Sequence, residues 1–420
     1  GLQGRTGANI IIFDVNGIFN DIQTNPDRYG ITNTTDACID TPACIGADLE
    51  TQNQFLFFDG IHPTAGIHAQ VAQLLATTVR APATLAAQGE VTLIAAEDFQ
   101  RALIESFKPI AATASVDLGS TRGAAAELDT AGSDSGNPSY KNPTSLFLLV
   151  DRIDGDRGER QGALGYRYDL GAVTAGLRRQ LKEHLTLGGA FRIGSGDADI
   201  DGGDETFDHR DVQLGLSATF GGDSSYIMGF ANLGYTELRN IERRTAIDQV
   251  ATSGETDAIL FGAGVAAGHL IPLSRNIRVG PIGSLRYSVV NLEGYVESGP
   301  NFLKQKVENQ NDIKSLVLSL GSVLEMDWET GEDKDIRLRL SALLEHDFNG
   351  GERTITSAFV TSPTTIETTI DERDRTTARL GADVGFSLVA GFGLGVGYET
   401  LVGLSGGGEH TIFGRATLNF

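Results

Sequence analysis

Residues 315–328 read SLVLSLGSVLEMDW, and residues 335–347 read DIRLRLSALLEHD. In the first stretch Leu316, Leu318, Leu320, Leu324, Met326 and Trp328 share one face, and Ser315, Ser319, Gly321, Glu325 and Asp327 share the other. In the second, Ile336, Leu338, Leu340, Ala342 and Leu344 oppose Asp335, Arg337, Arg339, Ser341 and Glu345. Side chains on a strand alternate with a period of two, so both stretches are strands with one apolar and one hydrated face. DVQLGLSATF (211–220) and RLGADVGFSL (379–388) repeat the pattern.

A water-soluble sandwich also alternates, so strand count and spacing have to decide. About twelve such segments begin near Thr144, Gly162, His184, His209, Ser225, Gly254, Arg275, Asp312, Asp335, Asp374, Gly391 and Glu409. An even number is expected of a bacterial outer-membrane barrel. Connections after the second, fourth, sixth, eighth and tenth segments are tight (QLKE, GGDS, PLSR, ETGEDK, VAG), whereas those after the third, fifth, seventh and ninth read as long and polar. One end with short turns and one with long loops suits a membrane barrel. Backbone groups in lipid must all pair within the protein, which excludes an open sheet edge. The predicted fold is a C-terminal 12-stranded antiparallel transmembrane β-barrel over residues 144–420, preceded by a linker helix and a partial α/β segment.

The composition agrees. A formal charge of −22 repels phosphate backbones and argues against a nucleic-acid partner. The 53 glycines fit an all-β protein with many turns and small inward positions. No apolar run reaches the 18 residues of a membrane helix, and no signal peptide opens the chain. Gly1 stands close to an apolar run, as though sequence preceded it. The only cysteines, Cys38 and Cys44 in CIDTPAC, could close a short disulfide in an oxidising compartment; two unpaired thiols are the alternative.

Residues 1–80 have an α/β texture. ANIIIFDV (8–15) and NQFLFFD (53–59) read as strands. PTAGIHAQVAQLLATTV reads as a helix, with Pro63 in its first turn and Ile67, Val71, Leu74, Leu75 and Val79 at helical spacing. Residues 81–143 read as a linker with one helix over about 95–108, followed by an Ala-, Ser-, Gly- and Asp-rich tract.

Two family resemblances follow. EHTIFGRATLNF ends on Phe420 with Leu418, Ala416, Gly414 and Ile412 on one face, which resembles the C-terminal signature of outer-membrane barrels. With LGYRYDLGAVTAGLRRQL and the linker helix before it, residues 144–420 resemble an autotransporter translocator domain. That resemblance implies a barrel that carries its own N-terminal passenger to the cell surface, a linker threading the lumen, and assembly machinery that reads Phe420. The stretch DGIHPT (59–64), followed by a helix bearing His68, resembles the last block of the GDSL or SGNH family of serine ester hydrolases, and NPDRYGITNTTDAC resembles its outer-surface lipase branch. This implies that His62 is the general base, that Asp59 fixes its tautomer, and that the substrate is a carboxylic acyl ester, with no cofactor. The family's nucleophile block and oxyanion-hole blocks are missing, so they are expected upstream, and the chain alone is expected to be inactive.

Other motifs carry less. Gly222-Asp223-Ser224 spells the nucleophile signature, but in a tight barrel turn on the far side of the membrane from His62. Asp197, Asp199, Asp201 and Asp208 match calcium-loop spacing, though flanked by strands; an acidic surface hairpin is the simpler reading. DRIDGDRGER (151–160) reads as a solvated mixed-charge loop, and Gly391, Gly393, Gly395 and Gly397 as room for something inside the lumen. The expected partners are outer-membrane lipid and lipopolysaccharide. Two rivals remain: a pore or transport protein plugged by residues 1–143, and a soluble hydrolase with a β-rich accessory domain.

Overall fold

The computed structural model describes residues 9–107 and 144–420, apart from 203–204, 223, 248, 332–333 and 390. Twelve long strands run in sequence order: β1 (Thr144–Arg157), β2 (Tyr166–Lys182), β3 (Leu185–Ile200), β4 (Glu205–Gly221), β5 (Ser225–Arg244), β6 (Ala251–His269), β7 (Ile277–Leu292), β8 (Gln310–Gly331), β9 (Lys334–Asp347), β10 (Thr376–Val389), β11 (Phe392–Val402) and β12 (Gly408–Asn419). Each pairs antiparallel with the next, and β12 returns to β1 from Asn419 opposite Ser145 to Gly408 opposite Asp156. The sheet closes on itself, as expected of a barrel in lipid.

Its outer wall is apolar. Leu146, Leu148 and Val150 on β1, Leu214 and Leu216 on β4 and Leu320 on β8 are exposed, while their strand neighbours point inward. The inward serines of the opening stretch do not face open water. Ser315 donates to Glu97 and Ser319 to Glu345, and both are buried.

The loop pattern differs from expectation in one respect. The connections after β3 and β5 are only residues 201–204 and 245–250, because the strands absorb the polar residues assigned to loops. β5 alone has 20 residues, against the roughly 9–11 that a tilted strand needs to cross hydrocarbon. The long connections are those after β7 and β9. Four short strands within them (Tyr295–Val296, Gln305–Val307, Arg353–Phe359 and Ile366–Ile370) form a separate sheet at that end.

A single 43-residue helix, Ala65–Phe107, replaces the two separate helices predicted near 63–79 and 95–108. It spans about 65 Å at 1.5 Å per residue and contains Pro82, which cannot donate a helical hydrogen bond. From Ala81 onward nearly every residue is buried, because the barrel surrounds it. A helix enclosed on all sides needs no apolar stripe, and this explains why residues 81–94, mostly small, gave no periodic signal. The stretch after Phe107 lies outside the described residues.

Polar anchors fix the helix in register. Gln100 donates to the Tyr287 carbonyl at 2.9 Å and to Ser288 at 3.0 Å. Asp98 meets Arg192 at 2.6 Å, and Glu90 pairs with Arg160 and accepts from the Tyr166 hydroxyl at 3.0 Å. The last carbonyls, which no helical turn can satisfy, accept from the wall: Glu105 from Arg415, Ser106 from Arg178, and Phe107 from Thr219. Leu164 of the β1–β2 loop donates to the Ala83 carbonyl, whereas Phe107 packs on Phe147 near the start of β1. The helix therefore enters at the long-loop end and reaches the tight-turn end.

Room for it comes from other glycines than expected. A Cβ on Gly188, Gly215 or Gly262 would collide with Phe107, Leu103 or Gln100 respectively. At Gly393, Gly395 and Gly397 a Cβ would meet only neighbouring strands. The DRIDGDRGER reading also needs correction, since Asp151, Arg157 and Arg160 turn inward to pair with Arg192, Glu409 and Glu90.

The N-terminal segment sits at the long-loop end. Residues 9–14 are not a strand as predicted; they have no neighbouring strand to pair with, and the Ile10 carbonyl accepts instead from Thr364 of a barrel loop. A helix (Val15–Thr24), capped by Asp14, and two parallel strands (Asn33–Ala37 and Phe55–Phe57) follow. Ile18, Ile22, Leu56, Ile67 and Leu74 are packed with Ile247, Val250, Phe302 and Leu303 of the barrel loops. Leu75 and Val79, assigned to the same stripe, are exposed. Cys38 and Cys44 form a disulfide with their Cα atoms 5.1 Å apart.

Gly215→Val places a Cβ 2.7 Å from a Leu103 methyl. It should cost about 1–3 kcal/mol by overpacking, read as a lower unfolding temperature and faster proteolysis of the helix in the intact chain. Gly395→Ala, whose Cβ meets nothing closer than 3.4 Å, should leave both unchanged.

Candidate functional site

The Asp59–His62 corner is built where the strand Phe55–Phe57 hands over to the long helix. Pro63 bridges back to Phe57, the Phe58 amide donates to the His62 carbonyl at 2.8 Å, and the buried Thr64 hydroxyl donates to the Phe55 carbonyl at 2.8 Å. Asn53 accepts from the Gly66 amide at 2.8 Å, tying the helix start to the approach of the strand. Thr64 lay within the quoted motif, but nothing in the spacing distinguished Asn53. Together these bonds leave the corner little freedom.

Within it, one carboxylate oxygen of Asp59 accepts from the Ile61 and His62 amides at 2.9 and 2.7 Å. The other lies 2.7 Å from His62 Nδ1. The two amide donors, His62 first, hold the Asp59 carboxyl down at about 2, with a smaller contribution from the imidazole. Asp59 is thus an acceptor only at neutral pH, which selects the tautomer of the neutral imidazole that has its proton on Nδ1 and its lone pair on Nε2. The imidazole is 67% exposed, and Nε2 has no partner among the described residues. Such a pair can accept a proton at Nε2 while the carboxylate stabilises the imidazolium.

No serine occurs before Ser106 in the chain, so residues 1–80 supply no serine nucleophile. Gly222 and Ser224 occupy the turn between β4 and β5; Asp223 lies outside the described residues. That turn is at the tight-turn end, opposite His62. Two further assignments separate on the structure. His68 is an exposed helix residue. Asp197 and Asp199 project from β3 and Asp208 from β4, in an extended hairpin in which Asp197 faces Asp208 and Asp208 accepts from Asn240. Among the described residues no group of three or more His, Cys, Asp or Glu side chains could hold a metal ion.

A second set of polar residues lines the lumen. Arg286 of β7 meets Glu345 of β9, which meets Arg379 of β10; Arg379 and Arg157 both meet Glu409 of β12, which accepts from Tyr168 of β2. Alternation placed these residues inward, but the sequence did not show which would pair. With the helix anchors they line a cavity of about 300 Å³ beside the helix, so the lumen is occupied rather than an open channel.

Comparisons with known proteins agree with this architecture. Residues 150–399 match the family model for the autotransporter β-domain. The structure is similar to the translocator domain of the autotransporter NalP from Neisseria meningitidis, with a TM-score of 0.53 at 16% identity, over 67% of this chain and 90% of that one. The chain is also 25% identical over 332 residues to "Lipase 1" of Photorhabdus luminescens, covering 73% of this chain and 43% of the relative. It therefore spans less than half of that relative's length. The match covers more than half of the chain, its barrel is closed, and its outer wall is apolar: the chain belongs to the autotransporter β-domain family and is an outer-membrane translocator.

Proposed function

We propose that residues 1–80 are the C-terminal part of a GDSL-type ester hydrolase passenger, which the barrel exports and holds at the cell surface. The observation that carries this reading is the Asp59–His62 pair at 2.7 Å, with Nε2 directed to solvent at a strand-to-helix corner. The likeness to a relative printed as a lipase supports it. In this reading His62 takes the proton of a serine hydroxyl as that oxygen attacks a carboxylic ester. Asp59 keeps the tautomer correct and stabilises the imidazolium. The serine and the oxyanion donors come from residues preceding Gly1. Both backbone bonds between Phe420 and Thr144 seat the terminal aromatic at the tight-turn end, where assembly machinery could read it. The helix that fills the lumen weighs against an open transport pore.

The test is surface display of the chain with its native upstream sequence, assayed on short-chain p-nitrophenyl esters. His62→Ala should lower kcat/KM by about 10⁴-fold or more, and Asp59→Ala by a smaller factor, with the barrel still folded. Unchanged turnover in His62→Ala would refute the assignment.

The Asp59 carboxyl makes a separate prediction. Its folded value of about 2 lies below its ordinary value of 3.8, so its contribution to the corner is present above pH 4 and is lost as pH falls through about 2. Carbon NMR of the Asp59 carboxyl should show no titration between pH 3 and 5. A midpoint near 4 would mean that the two amides do not hold it.

A further inference from the structure

The outer wall of the barrel is not evenly filled. Toward the tight-turn end, a groove of about 620 Å³ opens between Leu146, Leu177, Phe191 and Leu418. Two small outward residues cut its floor: Ala175, which faces Leu148 and Phe191, and Gly189, which faces Leu177 and Leu216. The volume lies within the roughly 300–1,000 Å³ of ligand clefts.

One cationic side chain stands at its foot. Ala175, Leu177 and Arg179 follow one another on the outer face of β2, about 7 Å apart, and Arg179 sits beside Thr144 and Leu187. Arg179 is exposed and has no ion pair or hydrogen bond among the described residues. Lys182, at the end of the same strand, is likewise exposed and without an ion pair there. The nearby Glu183 lies 4.0 Å from His184. Arg179 stands one outward position beyond Leu177, which lines the groove, and its planar donors match a phosphodiester.

We propose that this groove binds one anionic glycerophospholipid, with an acyl chain along Ala175 and Gly189 and the phosphate on Arg179, flanked by Lys182. Charge selects the occupant. A two-fold contact between copies of the chain through this face would bring its cations together, a juxtaposition that costs energy. The inference rests on the membrane location and is independent of the hydrolase reading.

The test uses the full chain in nanodiscs of phosphatidylcholine containing phosphatidylglycerol, followed by native mass spectrometry of the released protein. Phosphatidylglycerol should be retained about five-fold over phosphatidylcholine, the ~1 kcal/mol of one cation near an anionic headgroup. Arg179→Gln should bring the two lipids to parity while the heat-dependent gel shift of a folded barrel persists. Gly189→Leu, at a position where a Cβ meets nothing closer than 3.5 Å, should fill the floor and reduce retention of both lipids. Equal retention by the native chain, undiminished selectivity in Arg179→Gln, or a lipid-free dimer would each overturn the proposal.

Discussion

A backbone amide in hydrocarbon has no water to turn to, and the rest of this structure follows from that. Each strand must be paired along both edges, so the last strand has to find the first. The seam between β12 and β1 meets this demand over its whole length, from Asn419 opposite Ser145 to Gly408 opposite Asp156. Once the sheet is closed, alternation sends one set of side chains to lipid and the other to an interior that has to be filled.

The filling is a helix, and its attachment is electrostatic as much as apolar. Asp98 with Arg192, Glu90 with Arg160, and Glu105 with Arg339 join helix to wall, while the Arg286–Glu345–Arg379–Glu409 chain joins wall to wall. Buried pairs of this kind add little net stability, yet breaking one by removing a single partner typically costs about 3–5 kcal/mol, because a charge is left without compensation. They therefore fix the depth and rotation of the helix more than they hold it in. The apolar contacts of Phe99, Leu103 and Phe107 with Phe147, Met228 and Phe230 supply the adhesion.

The strands were legible because lipid outside and polar groups inside impose a period of two on every one of them, as in Leu316, Leu318 and Leu320. The Asp59–His62 pair was legible because its geometry is local: two side chains three positions apart and a proline define it. Features that depend on distant partners could not be read. Residues 81–94 look like a linker until a barrel surrounds them, and ANIIIFDV looks like a strand until no neighbour is found for it. The glycines that admit the helix, Gly188, Gly215 and Gly262, are separated by dozens of residues and share a purpose only in three dimensions. The four glycines at alternate positions from Gly391 to Gly397 were conspicuous for the opposite reason, since they make a pattern in one dimension that has no counterpart inside the lumen.

The continuity of the long helix has a mechanical consequence. Loops close around it near Arg80 and Ala83, where Arg80 donates to Asp201 and Leu164 to Ala83. The 16 residues from Ala65 to Arg80 carry the rod about 24 Å further, and His62 stands just beyond its tip. The helix runs unbroken from the gripped portion to Ala65, so the barrel acts as a socket and the helix as a mast. The Asp–His corner is thereby held at a set height above the bilayer, and any tilt of the barrel swings it like a pointer.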